Sequence, residues 1–159
     1  MKTGELFALA CELGGSLAGG AARETRALRE YGMALGTAYQ VYDDCLDLFG
    51  SEAEAGKSLG TDIASGKATL PVILLCEQAG PEIATQLGQM IGRWDAGQLN
   101  ILRGWLSEFN TLEQSQSSLE SCLADAREAL GAVGDSGHRD ALEELTRFLA
   151  QQSAGLRVS

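Results

Sequence analysis

Three aspartates crowd into a short stretch of the chain that is otherwise largely apolar, residues 39–50, which read YQVYDDCLDLFG. At helical spacing, Asp43, Asp44 and Asp47 fall within about 100° of one another, together with Gln40. Clustered carboxylates without a nearby histidine are hard oxygen ligands and suit Mg²⁺ better than zinc. Two alternatives remain open: a solvated outer face of a helix, or a carboxylate pair in general acid–base catalysis.

The side of the predicted helix that carries the aspartates is uncharged towards its N-terminus. Its upstream members are Gly32, Met33, Gly36 and Thr37. A solvated helix face normally carries charges along its whole length. The pattern therefore favours a cavity with a polar rim, although packing against another helix would produce the same pattern.

The segment after the aspartates carries two of the chain's three lysines, Lys57 and Lys67. Residues 51–71 read SEAEAGKSLGTDIASGKATLP. Ammonium groups beside a metal ion stabilise the negative charge of phosphate groups, so we expect a diphosphate ligand. The Gly-Lys-Ser tripeptide at 56–58 is not a P-loop, because five residues rather than four separate Gly50 from Gly56.

Composition and charge argue against several other classes of protein. The chain has 159 residues, of which 45% are hydrophobic and 21% charged, as in a single globular domain. The formal net charge of −10 argues against general nucleic-acid binding, and the apolar runs are too short to span a bilayer. One histidine, His138, argues against a histidine triad or a typical zinc site. The cysteines lack C-x-x-C spacing and are expected to be small buried residues in a reducing compartment, the cytoplasm: Cys11, Cys45, Cys76 and Cys122.

Helical periodicity runs through nearly the whole chain, which predicts an all-α fold. Apolar residues recur at spacings of three and four over residues 6–17 and 28–49. Pro71 and Pro81 are expected near the starts of two further helices. Three more helical segments are predicted at 94–109, 112–130 and 139–152. We expect residues 1–159 to form one unit, with residues 152–159 as a loose tail.

Four motifs together resemble the second aspartate-rich region of trans-type polyprenyl diphosphate synthases, the head-to-tail isoprenyl synthases. They are K-T-G at 2–4, Q-x-x-D-D-x-x-D at 40–47, G-K-x-x-G-T-D at 56–62 and G-K at 66–67. The joint match is specific, whereas each motif by itself is weak, and the resemblance covers essentially the whole chain. It implies a helical bundle of the isoprenoid synthase type, of which this chain is the C-terminal half.

The resemblance also implies an activity and a role for individual residues. Members of the family use Mg²⁺ and lysines to ionise an allylic diphosphate, and the allylic cation then adds to isopentenyl diphosphate. By this resemblance Asp43 is a direct metal ligand, and Asp44 and Asp47 support the metal through water or hydrogen bonds. Asp62 joins the outer metal shell or caps a helix. The residues implied to bind the allylic diphosphate are Lys2, Lys57 and Lys67. The residues implied to line the reacting carbons and orient the site are Thr3 and Gln40.

The chain departs from the family pattern in one large respect. Family members carry a first aspartate-rich motif on an earlier helix, and no second Asp-Asp pair occurs in this chain. We therefore expect the 159 residues by themselves not to catalyse prenyl transfer. The chain is then a fragment of a longer synthase, one half of a split enzyme, or a non-catalytic regulator that binds a synthase. A terpene cyclase relative is a further alternative. The resemblance implies a homodimer, or a pairing with a chain that carries the first motif.

Overall fold

The computed structural model describes residues 2–56 and 58–157, and every regular element in them is a helix. The predicted all-α class is confirmed. Within this part of the chain, no helix is long and apolar enough to cross a membrane. The helices are α1 (Lys2–Leu17), α2 (Ala22–Phe49), α3 (Glu52–Ala55), α4 (Thr61–Ala64), α5 (Leu70–Gln78), α6 (Pro81–Gly92), α7 (Leu99–Glu108), α8 (Thr111–Leu130) and α9 (Gly137–Gly155), with a short 3-10 helix (Ala96–Gln98) before α7.

The helix boundaries agree with those predicted from the sequence at the two prolines and differ from the prediction at the C-terminal end. Pro71 and Pro81 lie in the first turns of α5 and α6, where a missing N–H costs no intrahelical hydrogen bond. The predicted loose tail is wrong for residues 152–155, because α9 continues to Gly155 and buries Ser153.

The chain divides into two compact units and passes from one to the other inside α2, inside α8 and at the end of α9. The first unit takes the chain up to Tyr42 together with Ser117–Ala154. The second takes Asp43–Gln116 together with the residues from Gly155 onward. That the whole chain forms one unit stays a prediction.

In the first unit, α1 packs closely on α2 through glycines. A Cβ atom added at Gly32 would lie 2.5 Å from the backbone oxygen of Phe7 and 2.8 Å from the Cα of Ala8. One added at Gly36 would lie 2.9 Å from the Cα of Gly4. The uncharged side of α2 is therefore a helix-packing surface, and the cavity that the sequence favoured is wrong at these positions.

This packing predicts opposite effects for two glycine-to-alanine changes. Gly36→Ala is expected to destabilise the protein by about 1–3 kcal/mol, because the new methyl group forces α1 away from α2. Gly14→Ala is the matched control, since a Cβ there meets nothing within 4 Å. Its expected effect is a stabilisation of up to about 1 kcal/mol. Thermal unfolding measures both, and an unchanged Tm for Gly36→Ala would contradict the close contact.

The side of α1 that faces away from α2 is apolar and exposed. Its four leucines are 49–87% exposed: Leu6, Leu9, Leu13 and Leu17. The apolar stripe of α2 behaves differently, because Tyr31, Leu35 and Phe49 are buried within the chain. The apolar face of α1 is thus uncovered, whereas the chain itself covers much of the α2 stripe, with Tyr39 as its exposed member.

The cysteines do not share one environment. Cys45 is buried, Cys11 and Cys122 are partly buried, and Cys76 is exposed, so the expectation of burial is wrong for Cys76. Burial raises the pKa of the Cys45 thiol to about 12. That thiol therefore stays protonated at neutral pH and acts as a packing residue.

Candidate metal site

Three carboxylates from two helices converge in the second unit. Asp43 and Asp44 on α2 and Asp62 on α4 each offer one oxygen atom, and these oxygens lie within 4.8 Å of one another. Asp44 is only 7% exposed, and Asp43 and Asp62 are partly buried. A solvated outer face is therefore the wrong description of this end of α2. Like charges this close to one another repel, and a cation held between them would relieve that repulsion.

The ammonium group of Lys67 bridges two of the three carboxylates. Its Nζ lies 3.4 Å from Oδ1 of Asp44 and 3.2 Å from Oδ1 of Asp62. Partial burial lowers the pKa of Lys67, but the hydrogen bonds and charges of the two aspartates outweigh it, so the pKa lies above its ordinary value. Lys67 is therefore charged at neutral pH, and it remains partly open to solvent.

Asp44 also lies at the N-terminus of α5, where its Oδ2 accepts a hydrogen bond from the backbone N–H of Leu70 at 3.3 Å. A carboxylate is favoured there by the helix dipole. Lys67 and α5 thus hold the two oxygens of Asp44 in a defined orientation.

Two buried oxygen atoms next to these contacts have no hydrogen-bond partner in the described part of the chain, Asp62 Oδ2 and Thr69 Oγ1. Thr69 is 1% exposed and is the N-cap residue of α5. An uncompensated buried polar atom costs about 1–3 kcal/mol, so native structures rarely leave one unpaired. The orphaned carboxylate oxygen of Asp62 fits a cation ligand, and the all-oxygen donor set fits a hard divalent ion.

Asp47 has a different set of contacts from its neighbours. It is fully buried, and its carboxylate accepts hydrogen bonds from Thr61 N at 3.3 Å, Thr61 Oγ1 at 2.8 Å and Asp62 N at 3.1 Å. Its backbone oxygen accepts a further bond from Gly60 N at 2.9 Å. Asp47 therefore caps α4 and holds Asp62 in place. It lies outside the group whose oxygens converge, and its role as a metal ligand stays a prediction.

The glycine of the G-T-D motif is required by the backbone and by a neighbouring ring. Gly60 has φ +71°, in the left-handed region that side chains disfavour. A Cβ there would also lie 2.6 Å from the Cζ2 atom of Trp94. The sequence identified Gly60 as part of a motif, but Trp94 carried no signal that would have linked it to the site.

The remaining predicted site residues lie in the first unit or outside the described residues. Thr3 Oγ1 donates a hydrogen bond of 2.8 Å to Oε1 of Gln40, joining the first turn of α1 to α2. Lys2 is exposed in the same turn of α1. Lys57 lies outside the described residues. The structure thus brings Thr3 together with Gln40 in one unit, and the three convergent carboxylates together with Lys67 in the other.

Comparison with known proteins identifies a family. The family model of polyprenyl synthetases matches residues 1–103. The short chain isoprenyl diphosphate synthase of Methanothermobacter thermautotrophicus is 30% identical over 151 residues, which are 95% of this chain and 46% of that protein. The octaprenyl diphosphate synthase of Escherichia coli is 33% identical over 154 residues, 95% of this chain and 47% of that protein. The crystal structure of a polyprenyl synthase from Caulobacter crescentus CB15, complexed with calcium and isoprenyl diphosphate, aligns with a TM-score of 0.87 at 35% identity, over 94% of this chain and 46% of that one.

The fold is therefore that of the all-α isoprenyl synthases. The chain belongs to the polyprenyl synthetase family, as the four sequence motifs indicated. It spans about half the length of the curated relatives that it matches.

Proposed function

We propose that the chain contributes a metal-binding and diphosphate-binding half to a polyprenyl diphosphate synthase, which transfers an allylic group to isopentenyl diphosphate. One observation carries this proposal: in a member of the polyprenyl synthetase family, Asp43, Asp44 and Asp62 converge with Lys67 at one place. The same set of residue types is suited to holding a divalent cation and an anionic leaving group.

Asp43, Asp44 and Asp62 are the residues that would hold Mg²⁺. Their donor atoms are all oxygens, and the unpartnered Asp62 Oδ2 offers a further ligand atom. The Caulobacter relative was crystallised with calcium, a cation with the same preference for oxygen. Mg²⁺ is the better candidate for this reaction because it commonly joins carboxylates to substrate phosphates. When bound, such an ion neutralises the charge that develops on the departing diphosphate.

The proposed reaction breaks one bond of the allylic diphosphate and forms one new bond, and the side chains of this chain assist the first step. The carbon–oxygen bond of the allylic diphosphate breaks, and its electron pair leaves with the diphosphate. The double bond of isopentenyl diphosphate then forms the new carbon–carbon bond, and a proton is lost to the diphosphate. Positive charge beside the leaving group favours the first step. The residues assigned to contact the diphosphate are Lys2, Lys57 and Lys67.

Thr3 and Gln40 are proposed to line the reacting carbons. Because Oε1 of Gln40 accepts the hydrogen bond of Thr3, the orientation of the Gln40 amide is defined. An oriented amide dipole can stabilise an allylic cation without reacting with it. A water molecule, by contrast, would attack the cation.

A non-catalytic subunit that binds a synthase is the second candidate function. It is favoured by the name of one relative, component 2 of the heptaprenyl diphosphate synthase of Bacillus subtilis, which is 28% identical over 151 residues. This function predicts binding to an intact synthase without transfer under any pairing.

A radiolabel assay distinguishes the candidate functions. With Mg²⁺, an allylic diphosphate and labelled isopentenyl diphosphate, the chain by itself is expected to show negligible transfer. Adding a polypeptide with the first aspartate-rich motif should produce transfer, and Asp43→Ala should abolish it. Transfer by the chain by itself at the rate of an ordinary synthase would contradict the half-site proposal. No transfer in any combination would contradict the synthase function.

The exposed face of α1 predicts self-association. An apolar stripe of this size usually finds a partner or aggregates, and a second copy of α1 offers a self-complementary surface. Sedimentation at micromolar concentration is expected to show a dimer, and Leu13→Glu should convert it to a monomer. Leu145→Glu is the matched control on α9, because Leu13 and Leu145 are both 50% exposed. A monomeric parent protein with cooperative unfolding would contradict the prediction.

A further inference from the structure

Arg103, on α7, makes two hydrogen bonds to the end of the helix that carries the aspartates. Its Nε donates to the backbone oxygen of Leu48 at 2.6 Å, and its Nη2 donates to that of Gly50 at 2.9 Å. The side chain is partly buried. Burial lowers the pKa of this guanidinium from a value so high that it stays charged.

The end of α2 needs a cation from elsewhere in the chain. The last carbonyl groups of a helix lack intrahelical partners and carry partial negative charge. The last turn of α2 contains no basic residue, Asp47 lies within it and Asp44 lies just before it. Acidic residues near a helix C-terminus are unfavourable, so this turn is prone to fray. Arg103 supplies both the missing donors and the positive charge.

The turn that Arg103 holds also supports Asp62. Asp47 belongs to this turn, and its carboxylate binds the backbone N–H groups of Thr61 and Asp62. Trp94 also packs against Gly60, the residue before Thr61. Contacts therefore run without a break from Arg103 through the last turn of α2 to the carboxylate that joins Asp43 and Asp44.

We propose that Arg103 is a positioning residue for the metal site: it fixes the last turn of α2, so that Asp47 holds Asp62 beside Asp43 and Asp44. The inference rests on the proposed function for the identity of the site. It adds a residue that touches neither metal nor diphosphate and that no sequence motif contains.

The sign of the effect separates positioning from simple electrostatics. Removing a positive charge near a cation site should raise the affinity for the cation. Loss of positioning should lower it. Changes in residues that orient metal ligands typically cost 10- to 100-fold in affinity, so Arg103→Met is expected to weaken binding about tenfold.

Calorimetric titration of Mn²⁺ into the full chain tests the proposal. Arg103→Met should bind about tenfold more weakly than the parent, and Arg103→Lys should recover part of the loss. In an Asp62→Asn background the Arg103→Met change should cause no further loss, because the effect passes through Asp62. Arg147→Met is the matched control, since Arg147 is an exposed arginine that pairs with Glu143 and Glu144 on α9. It should leave Mn²⁺ affinity unchanged.

Amide hydrogen exchange supplies a readout that needs no ligand. The backbone amides of residues 61–65 should exchange faster in Arg103→Met than in the parent. Unchanged or tighter Mn²⁺ binding, a full additional loss in the Asp62→Asn background, or unaltered exchange would each overturn the proposal. If the parent binds Mn²⁺ but not inorganic pyrophosphate, the proposed function fails and the positioning role stands. If the parent binds no Mn²⁺, the exchange measurement decides the positioning role.

Discussion

Replacing Asp43 by alanine is expected to remove most of the chain's affinity for divalent cations. Asp43 supplies one of the three oxygens that converge within 4.8 Å. Its loss should cost more than the roughly 10- to 100-fold that follows a change in a residue which only orients a metal ligand. In an enzyme with transfer activity, the same change should lower kcat severely, because the metal acts on the leaving group. Calorimetry with Mg²⁺ or Mn²⁺ measures the affinity, and thermal unfolding shows whether the variant is folded.

Two further variants make the Asp43 result specific. Asp43→Asn keeps the shape of the side chain but loses its charge, so it should also bind cations weakly. Asp125→Asn removes an exposed carboxylate on α8 and should leave the affinity unchanged. Affinity close to that of the parent in Asp43→Ala would show that the convergent carboxylates are not the metal site.

Asp47→Ala is expected to destabilise the protein strongly. The change removes a fully buried acceptor of three hydrogen bonds and leaves two backbone N–H groups unpaired. Hydrogen bonds to charged groups contribute about 1.5–3 kcal/mol each, and their losses overlap, so we expect about 3 kcal/mol in total. For a chain of this length that corresponds to a fall in Tm of about 6–12 °C. Urea and thermal unfolding measure the change.

Thr61→Val is the matched control for the cap. It removes the 2.8 Å hydroxyl bond to Asp47 and keeps the backbone N–H. Its expected cost is about 1.5 kcal/mol, about half of that of Asp47→Ala. If Asp47 were a metal ligand without a capping role, Asp47→Ala would lose metal affinity at unchanged stability, and that result would contradict the capping role.

The positions of the helices were accessible from the sequence because local physics determines them. The three-and-four spacing of apolar residues predicted α1 and α2, and Pro71 and Pro81 marked the starts of α5 and α6. The single-turn helices α3 and α4 were not predicted, because four residues are too few to show a period. The uncharged face of α2 was ambiguous, since small residues look the same beside a cavity and beside another helix.

The sequence identified the carboxylates of the proposed site but did not show which of them converge and which caps a helix. Asp43, Asp44 and Asp47 share one helix face, yet the structure groups two of them with Asp62 and gives Asp47 to the cap of α4. That division depends on how the chain after Gly60 places Thr61 and Asp62 beside the end of α2. Helical periodicity contains no information on that placement.

The sequence analysis did not identify Arg103, on α7, or Trp94, in the segment before it, as residues that support the site. Arg103 donates to carbonyl groups that lie 53 and 55 residues earlier in the chain. From the sequence, a single arginine on an amphipathic helix is expected to be solvated, and Trp94 is expected to be an ordinary core residue. Tertiary contacts between residues far apart in the chain produce no local sequence pattern.

Calorimetric titration of inorganic pyrophosphate into the full chain, with and without Mg²⁺, shows whether the convergent carboxylates and Lys67 form a metal-dependent diphosphate site. We expect binding that requires Mg²⁺ and that is lost in Asp43→Ala and weakened in Lys67→Met. Pyrophosphate binding that is equally tight in EDTA or in Asp43→Ala, or no binding by the parent chain at saturating Mg²⁺, would contradict this expectation.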